Sequence, residues 1–440
     1  MTAPEPDTKT TRRAVLGTTA TLGIAALAGC TSDGDDPGTT TETATPTDDP
    51  TETEMGAGTA TDTDTATEQP MANPDVPILN YALTLEHLEN AFYREGLETF
   101  GDDELMDADA LSGFNETLRM DVPEYLATVG DHEAAHVDAL TDTVEQLGGT
   151  PVQEGEYDFG YETPSEFLGV AMALENTGVA AYAGAAPKVV NNDVLAAAAG
   201  IHSVEARHAA FLNLVNGEVP FPNAVDEAQT VDEVLEIAGQ FVTSEVDPSV
   251  YETGGDRPEQ QRKAENDTSD VDVLNYALTL EHLENAFYRE GLETFGDDEL
   301  MEAEALAEFG EELRMSVPEH LATVGDHEAA HVGALADTVE QLGGTPVEEA
   351  TYDFGYETPS EFLGVAMALE NTGVAAYKGA AGTVAADAVF EAAIGIHSVE
   401  ARHASFLNEL NLESPFPMAV DEPQTMAEVT EIAGQFIVEN

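Results

Sequence analysis

Two stretches of the chain carry the same set of residues able to bind metal, in the same order and at the same spacing. Glu86, Glu133 with His136, Glu175, and Glu205 with His208 form the first set. Glu281, Glu328 with His331, Glu370, and Glu400 with His403 form the second, 195 positions later. Each set offers four carboxylates, two imidazoles and no thiolate. The Glu and His of each Glu-x-x-His pair are three residues apart, so they share a face if the segment is helical. Carboxylate oxygens with imidazole nitrogens suit Fe(II), Fe(III) or Mn(II) better than calcium or a soft copper site. The lack of cysteine does not favour structural zinc. One cluster from each of four helices is what a bundle needs to hold two metal ions in its core.

The elements that must position these residues can be read from the 3.6-residue period and its breakers. In the first repeat they predict a helix over 76–99, stopping before Gly101, and a second beginning near Pro123 and ending at Gly148-Gly149. A third opens at Thr163-Pro164-Ser165-Glu166, a cap with proline in the first turn, and a fourth covers 192–215. A short helix is expected within 102–118, and a fifth amphipathic piece at 230–244 should pack across the bundle. Every proposed ligand then falls near the middle of its helix. The link over 149–163 is long for an ordinary connection. At roughly 50 Å when extended it can run the whole length of a helix, which makes the second and third helices parallel. The Tyr157-Asp158-Phe159-Gly160-Tyr161 segment reads as a hydrophobic pin for this crossover.

A single Glu-x-x-His on a helix is usually a solvated face. Two in one repeat, together with mid-helix glutamates flanked by Ala, Leu and Met, are harder to solvate. A buried carboxylate without a partner costs several kcal/mol. The basic residues near the first set, Arg94, Arg119 and Arg207, are too few to neutralise four carboxylates from the right faces, so bound cations are the expected solution. Glu89, three residues after Glu86, is an alternative first-helix ligand. Tyr93 lies seven residues after Glu86 and Tyr182 seven after Glu175, two turns along the same face, which favours Glu86 and places both tyrosines, with Tyr288 and Tyr377 in the second repeat, beside the ligands as candidate catalytic groups. His87, His132 and His202, and their copies His282, His327 and His397, read as polar or packing histidines, although His202 is one turn before Glu205 and could hydrogen-bond a ligand.

With these residues the chain resembles the ferritin-like superfamily, and more narrowly the exported ferritin-like domain proteins grouped with desiccation-related proteins. The resemblance covers about 75–245 and 271–440. It implies an all-α fold of two tandem ferritin-like four-helix bundles, each with a long crossover between helices two and three and an extra C-terminal helix. It also implies a dinuclear iron centre in each repeat, with manganese as the alternative. The expected organisation is a signal at 1–30, a disordered Thr/Asp/Glu-rich spacer at 31–74, repeat 1 at 75–246, a linker at 247–270 and repeat 2 at 271–440.

The chain carries a net charge of −73 yet is 42% apolar, too apolar for an acidic disordered protein. Such a charge is tolerable in concentrated salt, where the Debye length falls to about 3 Å, and it points to a halophilic source; with the resemblance above, a halophilic archaeon is expected. It excludes nucleic acid as a partner on electrostatic grounds. Cys30 is the only cysteine. Arg12-Arg13, an apolar run over 15–28 and Leu27-Ala28-Gly29-Cys30 resemble a twin-arginine signal ending in a lipoprotein cleavage box. The run is shorter than the ~20 apolar residues of a spanning helix, so cleavage before Cys30, lipidation of its thiol and a membrane-anchored, extracytoplasmic location are expected. Asn115-Glu116-Thr117 and Asn266-Asp267-Thr268 are sequons that export would make relevant. The function classes left are a redox enzyme of ferroxidase or peroxidase type acting on Fe(II), oxygen or peroxide, and a non-catalytic metal-binding or stress-protective structural protein. The linker leaves room for the repeats to pair as an intramolecular pseudo-dimer.

Overall fold

The computed structural model describes residues 73–244 and 269–438. The export signal, Cys30, nearly all of the Thr-rich spacer, most of the linker and the sequon at Asn266 lie outside them. The described residues are helical, with two isolated bridges and no β-strand. Repeat 1 contains α1 (Asp75–Thr99), α2 (Asp102–Met106), α3 (Glu116–Gln146), α4 (Pro164–Ala185), α5 (Asn192–Val215) and α6 (Val231–Ile237). Repeat 2 contains α7 (Asp270–Thr294), α8 (Asp297–Met301), α9 (Glu311–Gln341), α10 (Pro359–Ala381), α11 (Asp387–Leu410) and α12 (Met426–Ala433). Among the described residues no helix is long and apolar enough to cross a membrane.

In repeat 1, α1 packs along α3, and α4 along α5, to make the bundle. The start of α1 is tied to the link before α5 by Asp75, whose carboxylate accepts from Val190 N at 2.6 Å and Asn191 N at 2.9 Å. α4 opens with a capping box in which Thr163 and Glu166 satisfy each other's backbone N–H groups. The second long helix departs from expectation: α3 begins at Glu116 and carries Pro123 in its interior. The first turns hold because Leu118 and Val122 are wholly buried, and that packing outweighs the one hydrogen bond proline removes. The loop helix is correspondingly shorter, with α2 followed by a single 3-10 turn at Asp109–Leu111. The C-terminal piece is also shorter than expected, since α6 passes into a 3-10 turn at Ala238–Phe241.

The crossover is fastened along its length. Asn80 on α1 donates to Thr150 O and accepts from Val152 N, and Tyr157 bridges antiparallel to Val242. Phe159 sits edge-on to Phe92 with ring centroids 5.1 Å apart. Gly96 lets α4 approach α1 here, for a Cβ at this position would meet the Phe167 ring at 2.0 Å.

α5 is buried on all sides from Ile201 to Val215, the signature of a helix with neighbours all round. One neighbour is α4 and another is α11 of repeat 2. Small side chains meet there: Val179, Ala206 and Ala209 form one apolar cluster with Val374, Ala401 and Ala404. Asn115, the first sequon residue, donates to Glu308 O at 2.7 Å, so a glycan on its amide would break that contact.

Candidate metal centre

Each long helix of repeat 1 delivers its carboxylate to one level of the bundle. Glu86, Glu133, His136 and Glu205 form one group of donors, and Glu133, Glu175, Glu205 and His208 a second, all of them buried and each group's ligand atoms within 4.8 Å of one another. Glu133 and Glu205 belong to both groups. Glu86 with His136 and Glu175 with His208 stand at opposite ends. Repeat 2 repeats the arrangement with Glu281 and His331 at one end, Glu370 and His403 at the other, and Glu328 and Glu400 shared.

The donor atoms converge as they would on an ion. His136 Nδ1 lies 3.1 Å from Glu86 Oε2, 3.4 Å from Glu133 Oε2 and 3.0 Å from Glu205 Oε1, yet it can carry one proton. His208 Nδ1 stands 3.2 Å from both Glu133 Oε1 and Glu175 Oε2. Both oxygens of Glu205 and Oε1 of Glu133 are buried with no well-formed hydrogen bond, as are both oxygens of Glu328 and Glu400. Gly178 on α4 leaves the space these groups need, since a Cβ there would lie 3.1 Å from Glu89 Oε1 and 3.2 Å from Glu205 Oε2. The three arginines expected nearby are engaged elsewhere. Arg94 pairs with Glu154, Arg119 with Asp107 and the carbonyl of Met106, and Arg207 with Asp421 and Asn371. Buried oxygens without hydrogen bonds, a cradle without a Cβ and an all-O,N donor set fit a pair of hard or borderline cations.

Without cations, protons carry the load. Burial pushes Glu86 up to about 7, helped by the charge of Glu133 and opposed by His136. Burial and the surrounding carboxylates drive Glu89 and Glu205 well above the usual range. Burial would raise Glu133 as well, but the His136 and His208 rings outweigh it and hold its carboxyl well below the usual range. Burial works against the charged form of His208, yet the adjoining Glu175 and Glu133 lift it to about 9. His132 moves the other way, to about 3, through burial and the two neighbouring histidines.

The structure places the other candidates as follows. Tyr93 and Tyr182 do reach the carboxylates, but crosswise: Tyr93 on α1 donates to Glu175 on α4 at 2.5 Å, and Tyr182 on α4 donates to Glu86 on α1. In an antiparallel helix pair, a residue two turns past one glutamate comes opposite the other, so the seven-residue spacing is read on the facing helix. Tyr288 and Tyr377 do the same with Glu370 and Glu281. Glu89 belongs to neither donor group, yet it is buried beside Glu205. His132 is a polar, hydrogen-bonded histidine, its Nδ1 3.1 Å from His208 Nε2. The helical-wheel angle from Glu133 misses this because the contact is to another helix. His202 turns towards His397 of repeat 2, ring centroids 6.0 Å apart, and makes no bond to a ligand. His87 packs against the crossover, 3.2 Å from Val152 O.

Sequence reasoning missed one contributor, the loop after α11. Its Ala419 O accepts from His136 Nε2 at 2.6 Å, and its Phe416 packs edge-on to His208 at 5.0 Å. The loop after α5 returns both contacts through Ala224 O to His331 and Phe221 to His403. The available signal was the recurrence of Phe-Pro-x-Ala-Val-Asp-Glu at 221–227 and 416–422. A duplication in which most segments recur hides it.

No curated protein matches this chain. A family model described as a ferritin-like domain matches residues 74–218 and again 269–413. These matches span well over half of the sequence and enclose both sets of donor residues, and the chain therefore belongs to the ferritin-like family.

Proposed function

We propose that each repeat, 75–246 and 271–440, holds a dinuclear iron centre, with manganese as the alternative metal, and that the protein is a redox enzyme acting on Fe(II) with oxygen or peroxide. The observation that carries this reading is the sharing of Glu133 and Glu205 between two donor groups, each closed by its own Glu and His. Glu86 and His136 would ligate one ion, Glu175 and His208 the other, with Glu133 and Glu205 between them. Glu281, His331, Glu370, His403, Glu328 and Glu400 would do the same in repeat 2. Two such ions, when bound, supply the one-electron changes that oxidation of Fe(II) or reduction of peroxide requires.

The chain's own groups prepare the site. A carbonyl only accepts, so the bond from His136 Nε2 to Ala419 O keeps a proton on Nε2 and leaves Nδ1, which stands among the carboxylates, as the nitrogen that would bind metal. Tyr93 and Tyr182 hold their phenolic protons against Glu175 and Glu86, limiting how those carboxylates can rotate. Burial and the carboxylates around it favour the protonated form of Glu89 beside Glu205. The complete burial of all six donors excludes bulk water.

Around this core we place export by the twin-arginine route, a lipid on Cys30 and an extracytoplasmic, membrane-anchored site of action in a halophilic archaeon, within the desiccation-related type. The pairing of the repeats as an intramolecular pseudo-dimer belongs to the same reading, supported by the ion pairs of Arg207 with Asp421 and Arg402 with Asp226. The test is to load purified protein anaerobically with Fe(II), determine metal content, then add oxygen or peroxide and follow ferric absorption. Bound iron that turns over is the expected result. Stoichiometric metal without colour or turnover would replace the redox reading with a stabilising, stress-protective metal clip.

A further inference from the structure

We propose that each metal site is closed by the other repeat: the loop at 411–425 in repeat 2 sets the histidine ligands of repeat 1, and the loop at 216–230 in repeat 1 sets those of repeat 2. This rests on reading the Glu/His clusters as metal sites. Contacts of four kinds support it in each direction. His136 Nε2 bonds Ala419 O at 2.6 Å, 283 positions away, and His331 Nε2 bonds Ala224 O at 2.6 Å. Phe416 lies edge-on to His208 and His132, and Phe221 to His403 and His327. Asp421 accepts from Arg207 Nε at 2.9 Å, and Asp226 from Arg402 Nε at 2.7 Å. The Asp421 N–H donates to Gly200 O and the Asp226 N–H to Gly395 O, so each loop is pinned by backbone as well as by charge.

The consequence concerns ligand geometry. His136 has no other acceptor for its Nε2 proton among the described contacts, so the tautomer and ring orientation that present Nδ1 to Glu86, Glu133 and Glu205 are set by a carbonyl of the opposite repeat. Beside that backbone bond, the loop that carries this carbonyl is held by a buried ion pair, Arg207 with Asp421, both side chains under one-tenth exposed. Asp421 and Phe416 are therefore positioning residues for repeat 1, and Asp226 and Phe221 for repeat 2. A tandem duplication with this wiring keeps neither copy complete alone.

The test separates the sites with chains in which one repeat cannot bind. In Glu328→Ala only repeat 1 should take up metal, and in Glu133→Ala only repeat 2. Co(II) titration, followed by its visible absorption, reads the remaining site in each. Adding Asp421→Asn or Phe416→Leu to the Glu328→Ala chain should weaken Co(II) binding about 10-fold or more, as loss of a partner that orients a histidine does. Adding Asp226→Asn or Phe221→Leu to that same chain should leave binding within about twofold, because those residues serve the disabled site. The Glu133→Ala chain should show the opposite pattern. Helical content and melting temperature are compared among the four variants, since plain destabilisation would weaken both backgrounds alike. Loss of affinity in the repeat that carries the substitution, or equal loss in both, overturns the inference. If the Glu328→Ala chain binds no Co(II) before any loop is altered, the metal reading itself has failed, and this inference falls with it.

Discussion

The two repeats bond alike at their centres and differently at their edges. At the centres, Tyr93 meets Glu175 at 2.5 Å and Tyr288 meets Glu370 at 2.5 Å, while His132–His208 and His327–His403 are both 3.1 Å apart. At the edges, the last turn of α5 has Leu214 where α11 has Glu409, α4 has Ala183 where α10 has Lys378, and Gly217 is replaced by Leu412. Glu409 is buried against Tyr125 of repeat 1, and burial together with the charge of Asp121 pushes it up to about 8. Lys378 donates to the backbone carbonyl of Asp421. Glu409, against Tyr125, and Lys378, beside Gly200, thus stand where one repeat touches the other, while the donor groups are paired in the same way. An interface tolerates a new polar group if a partner is found for it. A set of converging carboxylates does not, because every member is balanced by the others.

That contrast can be broken most severely at a shared carboxylate. Glu133→Ala should abolish metal binding in repeat 1 and leave repeat 2 loaded, Glu328→Ala the reverse, and the double substitution should leave the chain without metal; elemental analysis after dialysis reads each case. If one substitution empties both repeats, the centres are not independent copies.

At the interface, replacing Glu409 by the leucine of repeat 1 should act through pH. A carboxyl raised from 4.5 to about 8 in the fold contributes stability that is fully present below pH 4.5 and lost as pH rises through 8. Glu409→Leu should therefore change little at pH 5 and raise stability by about 2–4 kcal/mol at pH 9, measured by denaturant unfolding in high salt. Equal effects at both pH values would mean that the carboxyl is not held protonated by burial.

The smallest effect is expected just after the helices. Gly217 takes φ +77° past the end of α5, and Leu412 takes φ +62° past the end of α11. A left-handed residue with a branched side chain costs ~1 kcal/mol over glycine. Leu412→Gly should raise the melting temperature slightly, Gly217→Leu should lower it by a similar amount, and calorimetry on both would show whether the difference between the repeats is only this strain.

Much of this was open to a reader of the sequence. The capping signal at Thr163 and the apolar run ended by Gly217 mark α4 and α5 almost to the residue, because caps and breakers act within one turn. Pro123 misleads because its cost is local while the burial of Leu118 and Val122 that offsets it is not. The tyrosine spacing set these side chains beside carboxylates but named the wrong partners. A helical wheel gives the face on which Tyr93 lies, but not which helix that face meets. His132 and Ala419 were illegible for the same reason, and a backbone carbonyl has no side-chain signature at all.

The sequence alone determined the donor set, its helical spacing and the shortage of counter-charge that makes a cation the natural partner, since residue type and 3.6-residue periodicity decide what a single helix can present. Only the tertiary structure decided that Glu133 and Glu205 belong to both donor groups, that the tyrosines meet the carboxylates of the facing helix, and that His136 and His331 each bond a loop carbonyl of the other repeat. Those features depend on how helices and loops far apart in the chain are set against one another, and packing of the whole chain settles that, not any local run of residues.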